Sequence, residues 1–175
     1  MFILKILFIF FICLNISNSY ASNIKNSAVV FMYHKFGVSK YPSTSVTLDQ
    51  FDAHLKESIM PVEFIIDTII NDGDLPNNTI GISIDDADKS FYEVGWPKFK
   101  EMGFPVTLFV NTSTIHENNK NYLNWDQIRE LVNEGVSIGA HSHSHYHMAD
   151  LSIDEVRDEI EISNNIFLKE LGSIP

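Results

Sequence analysis

Residues 80–84, IGISI, alternate isoleucine with glycine or serine and run without a break into the pair Asp85-Asp86. Strict alternation is the period of a β-strand, so this segment predicts a strand that delivers two carboxylates at its C-terminal end. Strand and helix signals alternate on both sides of it. AVVFMY (28–33) is a short apolar run rich in β-branched and aromatic residues, and it predicts a buried strand bounded by His34 and the loop 37–45. Thr47-Leu48-Asp49-Gln50 matches a capping box, with Leu48, Phe51 and Leu55 at helical spacing, which predicts a helix over 48–58. The apolar stretch 64–70 fits strand or helix and ends in the turn-rich NDGDLPNN of 71–78.

Downstream, 89–103 has helical spacing that Gly103 stops and that Pro97 either splits or carries into a second turn, and PVTLFV (105–110) predicts another buried strand. Asn124 caps an expected helix with Gln127 at its third position and Gly135 as its stop, and VSIGA (136–140) predicts a strand running into His141. A second capping box at Ser152 and Glu155 opens a helix whose Ile153, Val156, Ile160, Ile166, Phe167 and Leu171 are expected on a buried face, stopped by Gly172. Strands alternating with helices predict an α/β fold with largely parallel strands. Such folds place their chemistry where strand C-termini meet loops, and both polar clusters of this chain lie at such ends.

The N-terminus reads as a targeting segment. Met1 is followed by an apolar block over 2–14, broken only by Lys5, then by polar residues, with Ser19-Tyr20-Ala21 as a small-x-small cleavage signal. An apolar block of roughly a dozen residues falls short of the roughly 20 that a spanning helix needs, so a signal peptide over 1–21 is favoured over a membrane anchor. The single cysteine, Cys13, lies inside this block behind Ile12, which fits neither a lipoprotein signal nor a disulfide. The chain is therefore expected to be exported, with one domain over 28–175. Its net charge of −11 argues against a nucleic-acid partner, since phosphate backbones need basic surface.

The run His141-Ser142-His143-Ser144-His145-Tyr146-His147 places four of the seven histidines in seven positions. Imidazole suits zinc and similar ions, and a catalytic site commonly uses three protein ligands with one position left open. His141 and His145 have a familiar four-apart ligand spacing, and Asp85 or Asp86 could complete the set. A second carboxylate within reach would act as general base on a water activated by the ion. Alone, an Asp-Asp pair is commonly a solvated turn and a histidine run a surface chelating patch. Their shared location at strand ends favours one common site.

These residues resemble the NodB-homology polysaccharide deacetylases, carbohydrate esterase family 4. SIDDAD (83–88) is similar to that family's first motif, T-F-D-D-G, and HSHSH (141–145) to its second, H-[ST]-x-x-H, at similar separation. MYH (32–34), GFPVTLFVNT (103–112) and NWDQIRELVNEGVSIGAHS (124–142) extend the likeness over roughly 28–172. The resemblance implies a distorted (β/α) barrel, Asp85 as catalytic base, and Asp86, His141 and His145 as ligands of a divalent metal, typically zinc. It implies hydrolysis of N-acetyl groups on an N-acetylglucosamine-containing glycan. His143 and His147 fall outside the implied ligand set and read as loop or rim residues. His34 reads as a hydrogen-bonded structural histidine rather than a pocket residue, and Trp125 as core rather than a sugar platform, with Tyr146 a second candidate platform.

Two departures matter. Ser83, Ile84 and Ala87 replace Thr, Phe and Gly of the first motif, and Ala87 is the least comfortable if the backbone there needs a positive φ. The family's later motifs, which carry its oxyanion donor and general acid, have no counterpart before Pro175, so the resemblance implies a partial, incomplete barrel. Three readings follow: a deacetylase completed by a C-terminal fragment, a degenerate remnant, or an exported metal- or glycan-binding module without catalysis.

Overall fold

The computed structural model describes residues 27–54, 59–76, 79–115 and 119–175, so the expected leader over 1–21 lies outside the described residues. In chain order the strands are β1 (Ala28–Tyr33), β2 (Lys35–Phe36), β3 (Ser45–Val46), β4 (Thr79–Asp85), β5 (Thr107–Val110) and β6 (Ser137–Ala140). The α-helices are α1 (Leu48–His54), α2 (Val62–Ile70), α3 (Trp96–Glu101), α4 (Trp125–Asn133) and α5 (Ile153–Leu171). β1, β4, β5 and β6 form one parallel sheet in the order β1-β4-β5-β6, and β2 and β3 make a separate two-stranded parallel pair. The fold is thus α/β with an open arc of parallel strands, β1 and β6 being its edges among the described residues.

Local chemistry sets most element ends. At α4 the Asn124 side chain accepts from the Gln127 amide at 2.9 Å while the Gln127 side chain accepts from the Asn124 amide at 3.1 Å. The same reciprocal box joins Ser152 and Glu155 at α5, which ends at Gly172 with φ 78°. Pro97 sits in the first turn of α3, directly after a wide-turn segment at Phe91–Gly95; Ser90, Gly95 and Trp96 all keep right-handed helical backbone, so the coil runs on and Pro97 begins its second part rather than splitting it. The ambiguous 64–70 segment is helical, within α2, which packs closely on β4 at a glycine. A Cβ on Gly81 would lie 3.0 Å from Ile65 Cδ1 and 3.1 Å from Val62 Cγ2.

The core is centred on Phe36, Phe51, Phe91 and Phe99, all fully buried. Phe36 and Phe51 meet edge to face with centroids 4.9 Å apart, and Phe51 and Phe99 at 4.8 Å. Such pairs each add about 0.5–1.5 kcal/mol beyond area burial.

Two expectations from sequence are corrected. β1 is not a buried strand: Val29 is 56 % and Met32 60 % exposed, because β1 pairs with β4 on one side only. The apolar pattern of α5 marks its inner face only in part: Phe167 is buried and Val156, Ile166 and Leu171 are half-buried, but Ile153 and Ile160 are exposed, and Glu159 and Ser163 share the buried face. Phe167 is held inward by an edge contact with Trp125 at 5.9 Å, and four-residue steps from it lead to Ser163 and Glu159. The β2–β3 pairing within the expected loop region spans two residues per strand, too few to leave a periodic signature.

Glu63 in the first turn of α2 clamps the ends of β5 and β6 that lie far from Asp85 and His141. It accepts from Thr107 Oγ1 at 2.9 Å and from the Ser137 side chain. Burial works to raise its carboxyl, but the hydrogen bonds from Ser137, its own backbone amide and Thr107 outweigh this and hold it below the ordinary value of 4.5. A depressed folded-state value stabilises above the unfolded value and is lost as pH falls through the folded one. The melting-temperature advantage over Glu63→Gln is therefore expected at neutral pH and should close as pH drops below 4.5. A second outcome concerns Gly139 in β6, where a Cβ would sit 2.5 Å from the Phe109 ring. Gly139→Ala is expected to cost about 1–3 kcal/mol by urea unfolding, through overpacking.

Candidate metal centre

β4, β5 and β6 run in parallel and in register, so their C-terminal ends share one edge of the sheet. Asp85 is the last residue of β4, and Asp86 follows it; His141 follows Ala140, the last residue of β6. β5 extends its ladder by one bond on each side: the Asp86 amide donates to Phe109 O at 3.1 Å and the His141 amide to Val110 O at 3.0 Å. Both residues are thus fixed by backbone before their side chains meet.

Beyond β4 the chain turns through two left-handed residues, Asp86 with φ 72° and Ala87 with φ 56°. Aspartate visits this region more readily than most residues, whereas alanine has a Cβ with no polar group to compensate. The backbone at position 87 therefore does take the positive φ that made alanine uncomfortable there. Ala87 is held by full burial and by the Leu123 amide, which donates to its carbonyl at 3.0 Å. The loop beyond is tied down by Asp88, which accepts from the Ser90 amide at 2.9 Å and hydroxyl at 2.6 Å and lies 3.7 Å from Lys35 Nζ. Ser90 Oγ in turn accepts from the Phe36 amide at 3.0 Å.

The histidine run forms a tight loop with left-handed residues at Ser142 (φ 61°) and His145 (φ 59°). The His145 amide donates to Ser142 Oγ at 3.1 Å. The amides of Thr112 and Ser113, just past β5, donate to the carbonyls of Ser142 and His143 at 3.2 and 3.0 Å. His143 points away from the cluster and shares a hydrogen bond with Thr112 Oγ1 at 2.9 Å. His147 lies on the exposed side of the loop.

Asp86, His141 and His145 each bring a ligand atom to one point, all within 4.8 Å of one another. His141 Nε2 and His145 Nε2 are 3.0 Å apart, and Asp86 Oδ1 is 3.6 Å from the first and 3.4 Å from the second. A tetrahedral zinc ion with bonds near 2.0–2.1 Å sets its ligand atoms about 3.3 Å apart. Two imidazole nitrogens and one carboxylate oxygen at these separations therefore fit such an ion in both spacing and chemistry. Asp85 Oδ2 stands 3.9 Å from His141 Nε2, beside the cluster. Burial pushes the Asp85 carboxyl above its ordinary value; His141 and His34 pull it back and the Asp86 charge adds to the rise.

His34 Nε2 lies 4.0 Å from Asp86 Oδ2, at the rim of the centre. Trp125 packs on the core, and Tyr146 is exposed beside the loop. Two contributors were not legible in the motifs. Asn111, the residue after β5, is buried and directs its amide toward Asp86 Oδ1 at 3.5 Å. Glu159 on α5 accepts from the amides of His143 and Ser144. Its four-residue steps to Ser163 and Phe167 were the available signal, masked by the isoleucines around it.

A family profile described as polysaccharide deacetylase matches residues 72–175. YxkH of Bacillus subtilis (strain 168), named for the same family, is 25 % identical over 145 residues, covering 79 % of this chain and 50 % of that protein. The poly-beta-1,6-N-acetyl-D-glucosamine N-deacetylase of Staphylococcus aureus (strain MRSA252) is 23 % identical over 172 residues, covering 92 % and 57 %. The chain thus spans about half the length of these curated relatives. Among solved structures, the Streptococcus pyogenes deacetylase PplD in complex with acetate is similar with a TM-score of 0.74 at 22 % identity, over 86 % of this chain and 71 % of that one. IcaB from Ammonifex degensii is similar with a TM-score of 0.69 at 20 % identity, over 84 % and 70 %. Both likenesses are in fold.

Replacing Ala87 by glycine sets two opposing effects against each other. Relief of the left-handed strain gains about 1–2 kcal/mol, and loss of one buried methyl costs about 0.8 kcal/mol. Ala87→Gly is expected to leave unfolding free energy within about 1 kcal/mol of wild type, on the stabilising side, by urea titration.

Proposed function

The chain belongs to the polysaccharide deacetylase family, and from that premise we propose that it takes part in hydrolysing N-acetyl groups from an N-acetylglucosamine-containing glycan. Asp86, His141 and His145 would hold a divalent metal, zinc by the donor set, and Asp85 would serve as general base. The observation that carries this reading is the convergence of one carboxylate and two imidazoles at ligand spacing, with a second carboxylate alongside. A zinc ion bound there would supply Lewis acidity, polarising the acetamide carbonyl and easing proton loss from the attacking water.

The chain's own groups supply the rest. Asp85, at the end of β4, takes the proton of the attacking water on its carboxylate. Its partial burial keeps that carboxylate poorly solvated and hence more basic than an exposed aspartate. Asn111 directs its amide toward Asp86 Oδ1, orienting that ligand as outer-shell partners commonly do. The glycan would lie over the open side of the loop, where Tyr146 offers an exposed aromatic face for a sugar ring. A cleft of ≈ 370 Å³ lined by His141, His145, Tyr146 and Met148 supports that placement.

Export through the segment 1–21 accompanies this reading, and no helix among the described residues is long and apolar enough to cross a membrane.

The test is acetate release from acetylated chitooligosaccharide or its β-1,6 counterpart. Chelation is expected to abolish it and added zinc to restore it. Asp85→Asn is expected to cut the rate by about 10²–10⁴ with zinc content unchanged. Asp86→Ala and His141→Ala are expected to lose the zinc itself. Release that survives both chelation and Asp85→Asn would sink the proposal, and zinc binding without release in any glycan would favour a non-catalytic metal- or glycan-binding module.

A further inference from the structure

We infer that Glu159 is a positioning residue for the histidine loop: its carboxylate clamps residues 143 and 144 so that His141 and His145 face one another before any ion arrives. The inference rests on the metal-binding reading of the centre and adds a residue on a different element, α5, outside both sequence motifs.

Glu159 is 8 % exposed, on the face of α5 turned to the protein interior. A buried carboxylate is costly unless it is paired and hydrogen-bonded. Glu159 Oε2 accepts from His143 N at 3.0 Å and from Ser144 N at 2.7 Å, and the Ser144 side chain and His143 further favour its ionised form. Two successive amides aimed at one point form an anion-binding concavity, and hydrogen bonds to an ionised acceptor are among the stronger ones. The two residues so held lie between the two imidazoles that converge on Asp86.

The loop needs such a clamp. It carries left-handed backbone at Ser142 and again at His145, a conformation that side-chain-bearing residues leave unless their surroundings hold them. Its carbonyl side is held by Thr112 and Ser113, whose amides donate to Ser142 and His143. Its amide side is held by Glu159. Removing that carboxylate frees one of the two sides and leaves two amides to find water. The loop would then sample orientations in which the imidazoles no longer meet. Loss of an outer-shell partner commonly lowers metal affinity 10–100-fold.

Glu159→Gln and Glu159→Ala would be compared with wild type, and with Glu161→Gln as a control for net charge on the exposed side of the same helix. Two readouts are taken on the full chain: zinc affinity by competition with a chromophoric chelator, and amide hydrogen exchange over 141–147 in metal-free protein. Glu159→Ala is expected to bind zinc about 10–100-fold more weakly and Glu159→Gln about 3–10-fold more weakly, with faster exchange at 143 and 144 in both. Glu161→Gln should match wild type in both readouts. Zinc affinities within about twofold of wild type in Glu159→Gln, with unchanged exchange, would overturn the inference even if Glu159→Ala fails to fold. A lowered melting temperature with unchanged zinc affinity would likewise assign Glu159 to the fold alone. If wild type binds no zinc while exchange at 143 and 144 still rises in Glu159→Gln, the clamp stands and the metal reading of the centre falls.

Discussion

The centre depends on the last two hydrogen bonds of the β5 ladder. β4 and β6 are not neighbours; with β5 between them their axes lie about 10 Å apart. Ligand atoms only 3.6 Å apart must therefore reach toward each other over the end of β5. That is possible because β5 stops at Val110 while continuing to accept from Asp86 on one side and His141 on the other. Asn111 closes the gap just above, with its side-chain amide turned to Asp86. A parallel sheet makes this arrangement natural, since all three strands finish on the same edge and side chains of their following residues converge there.

Backbone strain is concentrated at the same place. Asp86, Ala87, Ser142 and His145 account for four of the five described non-glycine residues with positive φ. Left-handed backbone at such residues persists only where the surroundings over-determine it. Here the bonds are visible: Asp86 to β5, Ala87 to Leu123, Ser142 to Thr112, and His145 to the Ser142 hydroxyl. The polar network around Asp88, Ser90 and Lys35 and the amide cradle of Glu159 complete the enclosure. On the proposed metal-binding reading this strain has a purpose, because donors held in place before an ion binds need no rearrangement to receive it.

Away from the centre the protein is less enclosed. β1 presents apolar side chains to solvent along one edge of the sheet, and β6 leaves the other edge unpaired among the described residues. An unpaired, apolar edge invites strand pairing. The side of the sheet that carries the aromatic core is well filled by comparison, with Phe36, Phe51, Phe91 and Phe99 in mutual contact.

The amino-acid pattern by itself determined the features whose physics is local. The caps at Asn124 and Ser152 and the stop at Gly172 each arise from neighbours within a few residues, and all are found in the fold. The strand running into Asp85-Asp86 and the strand running into His141 were legible for the same reason. Tertiary structure decided what each face meets. Of the six apolar positions on α5, Ile153 and Ile160 face out, whereas Glu159 turns inward beside the others because two loop amides, supplied some fifteen residues earlier, stabilise its charge there. β1 has the composition of a buried strand and lies at an edge, because burial depends on which strands arrive beside it. The 64–70 segment is a helix whose close seat on β4 depends on the missing side chain of Gly81, a partner that lies outside the segment itself. Periodicity records what a segment prefers; which polar groups end up satisfied together is a property of the assembled chain.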